Sequence, residues 1–430
     1  MRKLASLLAV AALAASLLVV PFPGRPVHDA PPPLSAAPFT VCPLGEAARR
    51  STTLVMASGA ATTAQVMVLS AGEVVVDESW ELGAPGTAAL TIEDFTGLTF
   101  APALISLPQG SADVATVLVG GGVEALPCQT GSSDTVSLPG GVTTEGESFT
   151  VVLVNPFAGQ ARVTVGASSE VGIEGDPSLE RIVVPARSMI RVDLSSLLPG
   201  RQSMSATVTV LEGRVAAAAV QEGGGDLAAW NAIAADDDWY LPLPAVEGVG
   251  RSLVLAAPGT AEVAFQLDVY GPDGLVEAAF SGTVPARGHE VIPVGDFLDG
   301  PGGVRVVAVG PLAATLRMVG EGARAVVPAL STPGPSWVLA GPGLLGDVEI
   351  QVLNPSDFDV EAELSTFDDV VIDTVTLPAG SLSTITVPEG EDALRLEGDG
   401  DIVVTWTVVT DAGVAAGAAV PAGAGAAFGE

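Results

Sequence analysis

One histidine, His289, lies in the part of the chain with folding character, while His28 sits among prolines. A Ser–His–Asp relay would therefore have to use His289. No nucleophile elbow accompanies it, and Arg287-Gly288-His289-Glu290 reads as an exposed loop entering a strand. Carboxylates are the other candidates, since glycoside hydrolysis needs only two. They are densest at Asp236-Asp237-Asp238, at Asp368-Asp369, and at Glu397, Asp399 and Asp401. Among 50 acidic residues, however, close pairs arise by chance. A hard cation suits such oxygen donors better, and calcium at Asp236, Asp237 and Asp238 is the one metal site to consider. The competing reading of that triplet is a solvated linker. Asp399-Gly400-Asp401 lacks the remaining ligands of a calcium loop and reads as a hairpin turn. Phosphate-loop, dinucleotide and metalloprotease motifs are absent, because Gly120-Gly121-Gly122 and Gly223-Gly224-Gly225 follow strands without opening a helix. The expectation is a non-enzymatic protein with no catalytic residues and no cofactor beyond that calcium.

Two cysteines are present, Cys42 and Cys128. A bridge between them would close a loop of about 86 residues, worth roughly 4–5 kcal/mol through the unfolded chain. The alternative is two free thiols. Neither has the His or Cys neighbours that a redox or metal role requires.

Net charge is −33, and Lys3 is the lone lysine. Such a surface repels polyanions, which excludes nucleic acid and disfavours anionic lipid as partners. Arg2-Lys3 precede an uncharged run from Leu4 to Val20, which reads as a signal peptide or an uncleaved membrane anchor over residues 1–20. Residues 21–38 carry seven prolines and read as a semi-rigid spacer. Export follows, to an extracellular or cell-envelope location. Contact with the membrane would run only through the N-terminal segment.

The elements that would position any site come from a repeat. Short apolar strands open at Thr40-Val41-Cys42-Pro43, Thr135-Val136-Ser137-Leu138-Pro139, Trp239-Tyr240-Leu241-Pro242 and Trp337-Val338-Leu339. Each is followed by a strand ending at Ser58-Gly59, Asn155-Pro156, Ala257-Pro258 or Asn354-Pro355. A third mark comes about 25 residues on: Gly83-Ala84-Pro85-Gly86, Val184-Pro185-Ala186-Arg187, Val284-Pro285-Ala286-Arg287 and Leu377-Pro378-Ala379-Gly380. A period of roughly 95–100 residues is domain-sized. It divides the chain into modules over 39–130, 131–235, 236–332 and 333–430.

Within each module, apolar and polar residues alternate, as at Val263, Phe265, Leu267 and Val269. About seven short strands per module predict an antiparallel β-sandwich of immunoglobulin-like type, so the fold class is all-β. A β-propeller is the alternative, if the strands regroup into blades of four. Leu227 to Ala235 is the one folded stretch that suits a short helical turn.

Trp239 and Trp337 share one repeat position and read as core. Trp80, Trp230 and Trp406 share no register, and on the surface beside carboxylates they would form a carbohydrate platform.

Trp239-Tyr240-Leu241, Asn155-Pro156, Asn354-Pro355 and Val184-Pro185-Ala186-Arg187-Ser188 carry a further signal. With these marks the chain resembles a family of exported actinobacterial proteins of unknown function. The first module departs most, with Ser58-Gly59 in place of Asn-Pro. The resemblance implies a β-rich fold and a cell-envelope location, and it brings no catalytic residues. The function expected is a structural or adhesive scaffold of tandem modules, partnered by an envelope protein. Binding of envelope polysaccharide is the alternative.

Overall fold

The computed structural model describes residues 39–45, 50–70, 73–83, 86–92, 102–107, 112–272 and 274–422. The signal and spacer readings lie outside these residues. Among the described residues no helix is long and apolar enough to cross a membrane.

The chain forms four two-sheet units. In unit one the strands are β1 (Phe39–Cys42), β2 (Ser51–Ser58), β3 (Thr62–Ser70), β4 (Glu73–Leu82), β5 (Gly86–Thr91), β6 (Ala103–Ser106), β7 (Asp113–Val119) and β8 (Val123–Pro127). They pair as β1-β6-β3-β4 and β5-β2-β7-β8. Unit two has β9 (Thr135–Gly141), β10 (Ser148–Asn155), β11 (Ala161–Ser169), β12 (Gly172–Glu174), β13 (Ile182–Val184), β14 (Ser188–Asp193), β15 (Met204–Glu212), β16 (Ala216–Gly223) and β17 (Asp226–Asn231). Its sheets are β12-β11-β15-β9, with β13 also on β11, and β14-β10-β16-β17. Leu227 to Asn231, expected as a possible helical turn, belongs to β17, because a partner strand satisfies its backbone and its alanines fit a crowded sheet.

Unit three comprises β18 (Asp236–Leu243), β19 (Gly250–Ala256), β20 (Val263–Gly271), β21 (Gly274–Val284), β22 (His289–Pro293), β23 (Gly302–Gly320) and β24 (Ala323–Pro328). Unit four comprises β25 (Gly334–Ala340), β26 (Val348–Asn354), β27 (Val360–Thr366), β28 (Val371–Leu377), β29 (Ser381–Val387), β30 (Ala393–Thr410), β31 (Gly413–Ala418) and β32 (Val420–Pro421). The long strands β23 and β30 each serve both sheets of their unit. The first half of β30 pairs with β25 and β27, and the second half with β26 and β31. Asp399-Gly400-Asp401, expected as a hairpin turn, is the stretch where β30 passes between sheets. The turn is unnecessary because one long strand makes the crossing.

Alternation of apolar residues fills the core between each pair of sheets. Val263, Phe265, Leu267 and Val269 of β20, for example, face Leu253, Leu255 and Leu316 in unit three. The Asn-Pro and Val-Pro-Ala marks of the repeat lie against each other. The Asn155 amide donates to the carbonyls of Gly159 (2.7 Å), Val184 (3.1 Å) and Pro185 (3.0 Å). In unit four Asn354 does the same to Phe358, Leu377 and Pro378.

The four sandwiches close into a ring. Strand β8 packs on β17, β17 on β24, β24 on β31, and β31 returns to β8. These last strands are rich in alanine, which lets them approach closely at the centre. Each neighbour also enters the next unit's core: Val326 of unit three into unit two, Val414 and Ala416 of unit four into unit three, and Val117 and Val123 of unit one into unit four. Leu118 and Leu126 of unit one pack with Val152, Ala218 and Leu227 of unit two. Each unit keeps its own two sheets, so the strands are not regrouped into propeller blades.

Candidate functional site at the ring centre and seams

The last hairpin of every unit turns at the ring centre, on Gly120-Gly121-Gly122, Gly224-Gly225, Glu321-Gly322 and Asp411-Ala412. Two carboxylates are enclosed there. Asp226 opens β17, Glu124 follows the first residue of β8, and each is 1% exposed. Asp226 Oδ1 accepts from its neighbour Leu227 N at 2.7 Å. Its Oδ2 accepts from Arg324 N of unit three at 2.6 Å and Val414 N of unit four at 3.1 Å. One side chain thus joins three units. Space around it is tight, because a Cβ at Gly413 or Gly122 would collide with its carboxylate. Glu124 Oε2 accepts from Ala229 N of unit two at 3.0 Å, and its Oε1 from Ala125 N at 3.1 Å.

Burial pushes the Glu124 carboxyl well above the usual carboxylate range. Bonds from Ala229 N and Ala125 N oppose this, and the nearby Asp226 charge adds to it. Asp226 is also raised by burial, against three backbone N–H donors and the Arg324 charge. Two carboxyls this close and this dry are unequal partners: Glu124 is the more strongly raised, and Asp226, facing the donors and Arg324, is the better anion. Enclosure on all sides means that no substrate reaches either. Their chemistry is to cap backbone donors at the meeting point of four hairpins.

Further polar groups tie units one, two and three. Arg324 bonds Glu147 and donates from Nε to Gly223 O at 2.6 Å. Between units one and two, Arg50 bonds Glu222. There, too, Gln129 Nε2 donates to Ala217 O at 2.6 Å and to Asn231 Oδ1 at 2.9 Å.

His289 is not the exposed loop residue its sequence context suggests. It is buried at the start of β22, at the seam between units two and three. Ser168 Oγ lies 2.8 Å from its Nδ1 and Ser203 Oγ 2.8 Å from its Nε2. Both serines come from unit two, so the sequence around His289 could not reveal them. Burial, with the Arg317 charge, lowers its pKa to about 4 against the weaker opposing pull of Glu170. The imidazole is therefore neutral at neutral pH and bridges two hydroxyls. Among the described residues no acidic side chain bonds it to complete a relay.

The structure does not bring Asp236, Asp237 and Asp238 together. They lie in sequence on β18, where successive side chains point to opposite faces. The Asp238 carboxylate is committed to a bidentate pair with Arg305 at 2.8 and 2.7 Å. Among the described residues no group of three or more His, Cys, Asp or Glu is placed to hold a metal ion.

Cys42 and Cys128 form a disulfide, which ties β1 to the stretch just past β8. Trp239 and Trp337 are core, as their shared register implies, and their Nε1 groups donate to equivalent carbonyls, Leu312 O at 2.8 Å and Ile402 O at 3.1 Å. Trp230 and Trp406 are buried too, and Trp230 stacks on Phe149 at 5.8 Å. Trp230 and Trp406 are therefore closed to a carbohydrate platform.

Glu124, Asp226 and Arg324 escaped sequence reasoning. The one available signal was a single charged residue in the final, mostly apolar strand of units one, two and three.

A family model matches residues 108–329, just over half of the chain, from the end of unit one to the close of unit three. The chain belongs to the DUF5719 family, a family of unknown function. The DUF5719 match contains Glu124, Asp226 and Arg324, along with His289 and both serines that flank it. No curated protein matches the chain. Among solved structures, a tetra-tandem repeat in the extending region of a large adhesion protein aligns at 14% identity, over 85% of this chain and 93% of that one. Its TM-score is 0.11.

Proposed function

We propose that this protein is an exported, non-enzymatic scaffold of the cell envelope: a rigid β ring that offers its outer surface to an envelope partner. The observation that carries this reading is where the polar side chains go. His289, Glu124, Asp226 and Arg324 all bond across seams between units, which uses their chemistry to hold shape. The disulfide suits an oxidising, exported environment. An apolar N-terminal run and a proline-rich spacer would carry the ring clear of the membrane.

The test is topology in intact cells. A thiol-reactive, membrane-impermeant probe and added protease are applied to cells that make the full chain. The expected result is protease access from outside and an oxidised Cys42–Cys128 pair. Protection from protease together with reduced thiols would overturn the exported reading. Turnover of an envelope polymer by the purified chain would overturn the non-enzymatic one.

A further inference from the structure

We propose that the chain cuts itself once, between Gln202 and Ser203, by an N-to-O acyl shift at a site assembled only where units two and three close on each other.

In any chain a serine hydroxyl lies within reach of the carbonyl that precedes it. It attacks only where a base takes its proton and a donor receives the developing oxyanion. Ser203 has both, and both come from unit three. Its Oγ lies 2.8 Å from His289 Nε2. Arg317 Nη1 donates to Gln202 O, the carbonyl before Ser203, at 3.3 Å. Glu170 of unit two clamps the same stretch of backbone. Its Oε1 accepts from Gln202 N at 3.2 Å and its Oε2 from Ser203 N at 3.1 Å.

The protonation states suit these roles. His289 is neutral at neutral pH, so its ring is able to accept a proton. With the ring proton on Nδ1, donated to Ser168 Oγ at 2.8 Å, Nε2 turns a lone pair to Ser203. Ser168 then positions the base, the task of the aspartate in a Ser–His–Asp relay. Ser168 is not the nucleophile, because the residue before it, Ala167, lies within the sheet between Glu174 and Ala206. Gln202 instead precedes β15 and is exposed, which gives water access to its carbonyl.

Ser203 Oγ bonds to the Gln202 carbonyl carbon as His289 Nε2 takes the hydroxyl proton. The carbonyl oxygen becomes an oxyanion facing the Arg317 guanidinium. The imidazolium passes its proton to Ser203 N, the C–N bond breaks, and an ester links Gln202 to Ser203 Oγ. The freed amine takes a proton from solvent and pairs with the Glu170 carboxylate. Water then hydrolyses the ester, leaving a carboxylate on Gln202 and restoring the Ser203 hydroxyl. Both new ends are already held: Arg201 N donates to Thr143 Oγ1 at 3.1 Å, and Met204 pairs with Gly141 and Ser169. The cut ring therefore stays assembled. This is one event within the chain, not turnover of a substrate, so it stands or falls independently of the scaffold reading.

The test is incubation of the purified full chain, followed by intact mass and denaturing electrophoresis. Two fragments are expected, one ending at Gln202 and one beginning at Ser203, with masses that sum to the chain plus one water. Hydroxylamine, which attacks esters, should speed the cut and leave a hydroxamate on Gln202. Ser203→Ala should stay whole, and His289→Gln should cut about a hundredfold more slowly or less. Ser168→Ala should slow the cut, and Ser168→Thr, which keeps the hydroxyl, should recover it. Since substitutions at a seam can loosen the fold, the wild type in urea supplies a readout without mutation: the unfolded chain should not cut. A native wild type that stays whole with and without hydroxylamine would overturn the proposal. So would cleavage at this bond that proceeds equally fast in urea or in Ser203→Ala.

Discussion

The side-chain amide of Asn155 donates to the carbonyl of Pro185 at 3.0 Å, across 30 residues of chain. That bond makes two of the repeat's marks a single structural feature. The amide of Asn155 closes the end of β10, and the Val-Pro-Ala turn supplies its acceptors. Unit three has Ala257 at this position and closes the same corner with backbone alone, Ala257 N to Gly288 O at 2.9 Å. Replacing Asn155 or Asn354 by Ala should cost about 1–3 kcal/mol each, because buried carbonyls lose their donor. The two losses should add, since the sites lie in separate units. Urea unfolding of both single variants and the double variant measures this.

Backbone strain sits at the other half of that corner. Arg187 and Arg287 have φ of 48° and 54°, and unit four has Gly380 there at 60°. A side chain in this region costs about 1–2 kcal/mol, which glycine avoids. Gly380→Ala should destabilise by about 1 kcal/mol. Arg187→Gly should be neutral to slightly stabilising, as relief of strain is offset by a freer unfolded chain. Thermal melts of both variants test the pair, and a melt of Gly380→Ala equal to wild type would contradict it.

The seam between units two and three should be acid-sensitive. His289 has a folded-state pKa of about 4 against an ordinary 6.5. Between those values the unfolded chain binds more protons at this site, so stability is complete above about pH 6.5 and falls as pH drops towards 4. The loss approaches about 3 kcal/mol. His289→Gln should be less stable at pH 7 yet lose less on acidification. Parallel slopes for the two proteins between pH 7 and 4.5 would show that another group governs the acid limb.

The two central acids should respond differently to substitution. Asp226→Ala strands the amide donors of Leu227, Arg324 and Val414, and should cost on the order of 3–5 kcal/mol. Glu124→Gln turns an NH2, which cannot accept, towards Ala229 N or Ala125 N, so it should cost about 1–3 kcal/mol, less than Asp226→Ala. Because its folded pKa is raised, the wild type loses stability as pH climbs from the ordinary carboxylate range towards the folded value, and the glutamine variant should lose less. Denaturant titrations at pH 6 and pH 9 distinguish the two residues.

Much of the fold was legible because it is local. Alternation of apolar residues predicts strands wherever one face is buried, as along Val263 to Val269. Proline and asparagine mark strand ends because they alter backbone bonding at their own positions. The repeat spacing therefore reported the four units and the shared core position of Trp239 and Trp337. The pairing of Cys42 with Cys128 was open on sequence grounds and is fixed by β1 lying beside the stretch that follows β8.

The sequence by itself determined four sheet-forming units, their turns and their acidic character, since hydrogen-bond ladders and turn dihedrals depend on neighbours along the chain. Tertiary structure decided that the units close a ring, that Asp226 meets Val414 across 188 residues, and that His289 is buried between two serines. Those outcomes depend on which outer faces meet. Complementarity between surfaces far apart in the chain leaves no periodic trace in residue order.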